Sequence, residues 1–135
     1  MQRKAILNSI SQSKRTANIT WICTDSQSSD LIGKSSSLDY PAAAKARSSR
    51  FVSVILTCSA AENAGRISNP ERGGDINWKI TSTDLLQTIQ ETSDIGTFGG
   101  EDEIIIETSD KKALDTAEEV AKFVADRIGA VKSSA

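Results

Sequence analysis

Glu103-Ile104-Ile105-Ile106-Glu107-Thr108 is a strand-like run that feeds, through Ser109 and Asp110, into a long amphipathic segment. At about 100° per residue from Leu114, Ala113, Leu114, Ala117, Val120, Ala121, Val124, Ala125 and Ile128 fall on one arc. Lys111, Lys112, Asp115, Thr116, Glu118, Glu119, Lys122, Asp126 and Arg127 fall on the other. A helix of this pattern must lay its apolar stripe on a partner surface. The natural partner is one face of a sheet built by the segments before it. Ser109 or Asp110 supplies the N-cap and Gly129 the C-cap, which sets the helix at 109–129. Phe123 falls among the polar residues, about 180° from Leu114, and reads as an exposed ring or a contact with a second subunit.

Two further runs supply strands. Arg50-Phe-Val-Ser-Val-Ile-Leu-Thr-Cys-Ser59 is rich in β-branched residues, with Val52, Val54, Leu56 and Cys58 on one side and Phe51, Ser53, Ile55, Thr57 and Ser59 on the other. Asp75 to Thr83 alternates, placing Ile76, Trp78 and Ile80 inward and Asn77, Lys79 and Thr81 outward. Each strand couples an apolar face to a polar one, the pattern of an antiparallel sheet covered on one side and open on the other. Upstream, Ile19, Trp21 and Cys23 alternate with Thr20, Ile22 and Thr24, and with Leu31-Ile32-Gly33-Lys34 they suggest an N-terminal hairpin. Residues 42–47 fit a helical turn or a short strand, and residues 84–92 fit a helix or an extended segment. Residues 60–74 read as a connection punctuated by Gly65, Asn69-Pro70 and Gly73-Gly74.

A chain of 135 residues fits one domain. Its expected layout is 1–17 as an N-terminal arm, 18–108 mainly β, and 109–129 as the terminal helix. A hydrophobic fraction of 38% is lean in core formers and favours help from oligomerisation. Net charge is −2, but residues 1–50 carry eight basic and three acidic groups, and residues 51–135 carry eight and fifteen. This asymmetry suits either a basic surface that meets nucleic acid or simply solvated charge. No run reaches the ~18 apolar residues of a membrane span. The serine-rich, basic start (Arg3, Lys4, Lys14, Arg15) has no signal-peptide core but shares features with organelle transit segments.

Catalytic motifs are scarce. The chain has no histidine, the commonest general base and metal ligand near neutral pH. Cys23 and Cys58 sit in apolar runs without metal or redox spacing. Glu101-Asp102-Glu103 with Glu107 lacks a convergent second acidic segment or a calcium-loop pattern, and reads as a solvated strand edge. The Gly73-Gly74 and Gly99-Gly100 pairs lack phosphate-loop spacing. Neither an enzyme, a metal site nor a cofactor is therefore expected. What remains is the polar sheet face, whose hydroxyl, amide and ammonium groups suit either solvent or single-stranded RNA.

The order of elements resembles the coat proteins of single-stranded RNA bacteriophages. The likeness rests on Phe51 to Ala60 as the central strand, Asp75 to Thr81 as its partner, and Ile104 to Val124 as the closing strand and helix. The resemblance implies an α+β fold: an antiparallel sheet with an N-terminal hairpin, one face under a C-terminal helix, completed by dimerisation. It implies a capsid protein whose homodimers assemble into an icosahedral shell around genomic RNA, located in virions assembled in the host bacterial cytoplasm. Ser53, Thr57, Ser59, Asn77, Lys79 and Thr81 would then face the RNA. Phe123, Val120 and Val124 would meet the partner subunit. The alternative is a small cytosolic α+β binding or adaptor domain with no nucleic-acid role.

Overall fold

A computed structural model of the chain describes residues 2–71 and 81–133, with side chains described as far as residue 128. Helix predominates, and the described chain divides into two compact units: residues 1–52 with 94–98, and residues 53–93 with 99–135. The N-terminal arm expected over 1–17 is mostly helix α1, Gln2–Gln12, followed by a 3₁₀ turn at Lys14–Thr16.

The first unit adds α2, Leu31–Ser37, and α3, Asp39–Ala46. Asp30 caps α2 by accepting the Gly33 N–H at 2.7 Å, so the segment read as the second arm of a hairpin is a helix. The expected hairpin is therefore corrected. Ser28 instead forms an isolated antiparallel bridge with Ile95, flanked by bonds from Ser29 N–H to the Asp94 carbonyl and from Gly96 N–H to the Gln27 carbonyl. Gly33 is required there, because a Cβ would lie 2.0 Å from the Ser28 carbonyl oxygen. Residues 18–24 alternate as a strand does, yet they join no ladder among the described residues, and Ile19, Trp21 and Cys23 stay exposed.

Polar ties replace a large core in this unit. The Asp25 carboxylate accepts from the Tyr40 hydroxyl at 2.7 Å, Gln27 Nε2 at 2.7 Å, its neighbour Ser26 N–H at 2.8 Å and Arg3 at 3.4 Å. Partial burial pushes this carboxyl up, but the hydrogen bonds and the Arg3 charge together hold it below its ordinary range. Arg47 donates to the carbonyls of Thr16, Ala17 and Ile19, stapling the 3₁₀ turn to the end of α3. Phe51 meets Phe98 edge to face, with centroids 5.0 Å apart.

The second unit runs β1 (Ser53–Thr57), α4 (Ala60–Ile67), α5 (Thr83–Thr92), β2 (Glu103–Glu107) and α6 (Ala113–Ser133). β1 and β2 pair in parallel, Ser53 opposite Glu103 through Thr57 opposite Glu107. Among the described residues this two-stranded pair is the whole sheet. The expectation of an antiparallel sheet is overturned. Alternating faces look the same in either direction, and direction is set by the connection: α4 and α5 carry the chain back, the kind of crossover that parallel strands need. Of the expected strand at 75–83, residues 75–80 lie outside the described residues. Thr81 is irregular, Ser82 caps α5 through the Leu85 N–H, and Thr83 opens the helix. Residues 84–92 are thus helical. Gly99 and Gly100, at φ +74° and +89°, make the turn into β2.

Helix α6 starts after the expected cap, at Ala113, and runs back along β2, since Arg127 Nε donates to the Glu101 carbonyl and pairs with Asp102 at 3.5 Å. Its covered stripe is rotated from the one the apolar pattern selects. Thr116 is buried and Val120, Phe123 and Val124 are half-buried, whereas Leu114, Ala117, Ala121, Ala125 and Ile128 are exposed, Leu114 at 68%. Across the described residues the buried large apolar side chains are Leu7, Ile67 and Ile106.

Ile106, at 1% exposure, is the most enclosed of these. Ile106→Ala is expected to cost about 2–4 kcal/mol in denaturant unfolding, the usual range for a buried Ile truncation. The single tyrosine of the chain offers a second check. Burial and the bond to Asp25 push Tyr40 up to about 12. This raised value favours the neutral phenol, so the tie contributes below the ordinary value of 10.0 and is lost as pH rises through about 12. Tyrosinate absorbance should show a midpoint near 12 in the folded chain and a lower one in Asp25→Asn.

Candidate functional site

Both strands of the second unit deliver their carboxyl ends to one polar edge. Beyond β1 come Cys58 and Ser59, and beyond β2 come Thr108 and Ser109. The Thr57 carbonyl accepts the Thr108 N–H at 2.7 Å and the Thr108 hydroxyl at 2.9 Å. Ser59 N–H donates to Ser109 Oγ at 2.8 Å, and the Ser59 hydroxyl accepts the Glu62 N–H, capping α4. The two chain exits are therefore bonded to one another.

Arg66 locks this arrangement. Its NH1 donates to Thr108 Oγ1 at 3.0 Å, its NH2 to the Thr108 carbonyl at 2.7 Å, and its Nε to Glu62 one helical turn earlier at 2.9 Å. A guanidinium carries five N–H bonds in a rigid fork, so the remaining two point away from these partners. The side chain is 38% exposed. Glu107 closes the edge by accepting both the hydroxyl and the N–H of Ser109. Those bonds, outweighing desolvation and helped by the Arg66 and Lys111 charges, hold the Glu107 carboxyl below its ordinary value. Lys111 pairs with Glu119 at 2.7 Å.

A groove of about 380 Å³ lies on the other side of α4, between Ala60, Ala64, Leu86, Gln87, Gln90 and Glu91 of α4 and α5. Ala60 directly follows Ser59, so the groove begins where the polar edge ends. A smaller recess in the first unit is lined by Lys34, Ser37, Leu38, Gly96, Thr97 and Phe98. Among the described residues no group of three or more His, Cys, Asp or Glu side chains is placed to hold a metal ion.

The described residues among those singled out from the sequence are dispersed. Thr57 and Ser59 reach the carboxyl edge, but Ser53 is buried at the opposite end of β1. Thr81 is exposed ahead of α5, and Asn77 and Lys79 lie outside the described residues. Val120, Phe123 and Val124 share the covered side of α6, where the Phe123 ring lies 4.4 Å beneath the Arg127 guanidinium. Arg66, Thr108 and Ser109 were not anticipated, and Glu107 was set aside as a solvated edge. The available signal was Ser59-x-x-Glu62, a capping-box pattern, followed by the Glu62–Arg66 spacing of a helical ion pair.

Comparison with family models, curated proteins and solved structures found no match.

The lowered Glu107 value has a definite sign. The stabilisation it reports is present above 4.5 and is lost as pH falls through the folded-state value. The carboxyl carbon of Glu107, followed by NMR, should titrate below 4.5, and Ser109→Ala should move the midpoint back toward 4.5.

Proposed function

We propose that this chain is a small binding module that holds a polar ligand at the carboxyl edge of β1 and β2. One observation carries the reading: both strand exits, the start of α4 and the Arg66 guanidinium converge on that edge. Open α/β sheets hold their ligands beyond the carboxyl ends of the strands, where helix N-termini and loop hydroxyls face outward. The donors are the spare N–H bonds of Arg66, which suit an anionic oxygen. Glu107 and the hydroxyls of Ser59 and Ser109 suit ligand hydroxyl groups. A ligand with both chemistries is a phosphorylated sugar or a nucleotide.

Binding rather than turnover is proposed, and it keeps the binding-domain alternative drawn from the sequence. Assembly into a shell around RNA was expected from the resemblance to phage coat proteins. Of the polar residues meant for that face, the described ones, Ser53, Thr57, Ser59 and Thr81, do not share one surface, so the coat-protein reading rests on the sequence likeness that first suggested it. No helix among the described residues is long and apolar enough to cross a membrane.

Amide shifts of the full chain, titrated separately with ADP, ribose 5-phosphate and inorganic phosphate, test the proposal. Perturbations should centre on residues 57–60, 66 and 107–111, and Arg66→Ala should weaken binding by about tenfold, the scale of one charge-assisted contact. Saturable shifts located elsewhere, or none with any of the three probes, would sink the assignment.

A further inference from the structure

The basic excess of the first unit collects at one end of its helices. Arg3 pairs with Asp25 at 3.4 Å and with Asp39 at 3.6 Å, which ties the starts of α1 and α3. Arg47 bonds to the Thr16, Ala17 and Ile19 carbonyls, which ties their ends. The two helices therefore run side by side in one direction, and Lys14, Arg15, Lys45 and Arg47 come together where both finish. Residues 1–24 and 40–61 contain no acid, so neither segment brings a carboxylate to that end. Lys14, Arg15 and Lys45 are exposed and make no ion pair among the described residues. Helix C-termini favour cations, which explains why these charges sit together but not what lies beside them. From Ile19, whose carbonyl Arg47 holds, the chain runs on extended and exposed through Thr24. Trp21 stands about 7 Å of extended backbone beyond Ile19, and it is 45% exposed. Residues 20–24 make no backbone hydrogen bond among the described residues.

We propose that this end of the first unit binds single-stranded nucleic acid, with Lys14, Arg15, Lys45 and Arg47 on phosphates and the Trp21 ring stacked on a base. Charge complementarity selects a polyanion, because the cations there face no carboxylate of their own segments. The exposed ring selects one with open bases: a duplex already stacks its base faces on one another, whereas a single strand offers them to an aromatic side chain. Backbone chemistry selects against an anionic lipid surface, the other polyanion that suits cations beside Trp21 and Ile22. Burying residues 20–24 in hydrocarbon would leave their N–H and C=O groups without partners, which a bilayer does not tolerate. Against a nucleic acid the same groups stay in water or bond to base edges. No sequence preference follows, since phosphates and base faces recur at every nucleotide. The site lies in the first unit and uses none of residues 57–60, 66 and 107–111, so it stands whether or not the second unit holds a ligand.

The test titrates the full chain into fluorescein-labelled oligo(dT) and oligo(U) of about 15 nucleotides, the upper range of one binding site, and reads anisotropy. Saturable binding to both is expected, with amide shifts at residues 14–22 and 45–49. A phosphate contact for each of the cations gives a slope of roughly −2.8 in log K against log salt, at about 0.7 per contact on a single strand. Lys14→Gln combined with Lys45→Gln should bring that slope to about −1.4. Trp21→Ala should instead weaken binding at least about fivefold and leave the slope unchanged. Lys122→Gln, which removes an exposed cation of the second unit, should leave binding as it is. Arg47 is kept in every variant because it staples the fold, and a Tyr40 midpoint near 12 verifies that the first unit is intact. If Trp21→Ala does not fold, quenching of Trp21 emission by the oligonucleotide in Trp78→Phe, which leaves one tryptophan, takes its place. No binding to either strand, binding indifferent to Trp21→Ala, a loss through Lys122→Gln, amide shifts confined to the second unit, or uptake by phosphatidylserine vesicles in place of the oligonucleotides would each overturn the proposal.

Discussion

The second unit depends on one short parallel ladder and the lock at its carboxyl end. Five paired residues per strand supply few hydrogen bonds, and parallel pairing is slightly less stable per residue than antiparallel pairing. The pair is therefore reinforced where the chains leave it. Thr108 bonds to Thr57 twice, Ser59 bonds to Ser109, and Arg66 grips Thr108 from the intervening crossover. Because Arg66 sits on α4, the same contact fixes the helix that leaves β1 and the strand that returns. Glu62 completes the lock by engaging Arg66 instead of the Ser59 N–H, the usual partner in a capping box, and Ser109 takes that N–H in its place.

The positions of β1 and β2 were legible in the sequence, whereas their direction was not. Arg50–Ser59 and Glu103–Thr108 contain β1 and β2, because β-branched residues in period-two alternation mark an extended segment in any sheet. Direction resides in the connection, and there Ser59 and Ser82 were read as strand residues. Ser59, Ser82 and Asp30 are instead helix caps, each accepting the N–H three residues on. Recognising those caps converts an all-antiparallel plan into a crossover. Two residues of the expected polar face have other local roles: Thr57 ends β1 and Ser59 caps α4.

The terminal helix shows a different failure. Its apolar arc was identified correctly as an arc, yet the covered side is centred on Thr116, Val120, Phe123 and Arg127. A guanidinium stacked on a phenyl ring can be half-buried at little desolvation cost, since the ring face satisfies part of the charge. A count of hydrophobic side chains cannot register such a contact. It assigned Phe123 to the wet side and Leu114 to the dry one, the reverse of what the packing shows.

Leu56 and Ile105 are 51% and 58% exposed and lie on opposite faces at opposite edges of the pair. A parallel sheet in water loses most of its driving force when its faces stay wet, because burial is worth about 25 cal/mol per Å² of apolar surface. In the first unit, Ile19 and Trp21 show the same mismatch between a strand-like pattern and an exposed position. The apolar patterning of these segments therefore exceeds what the described core encloses.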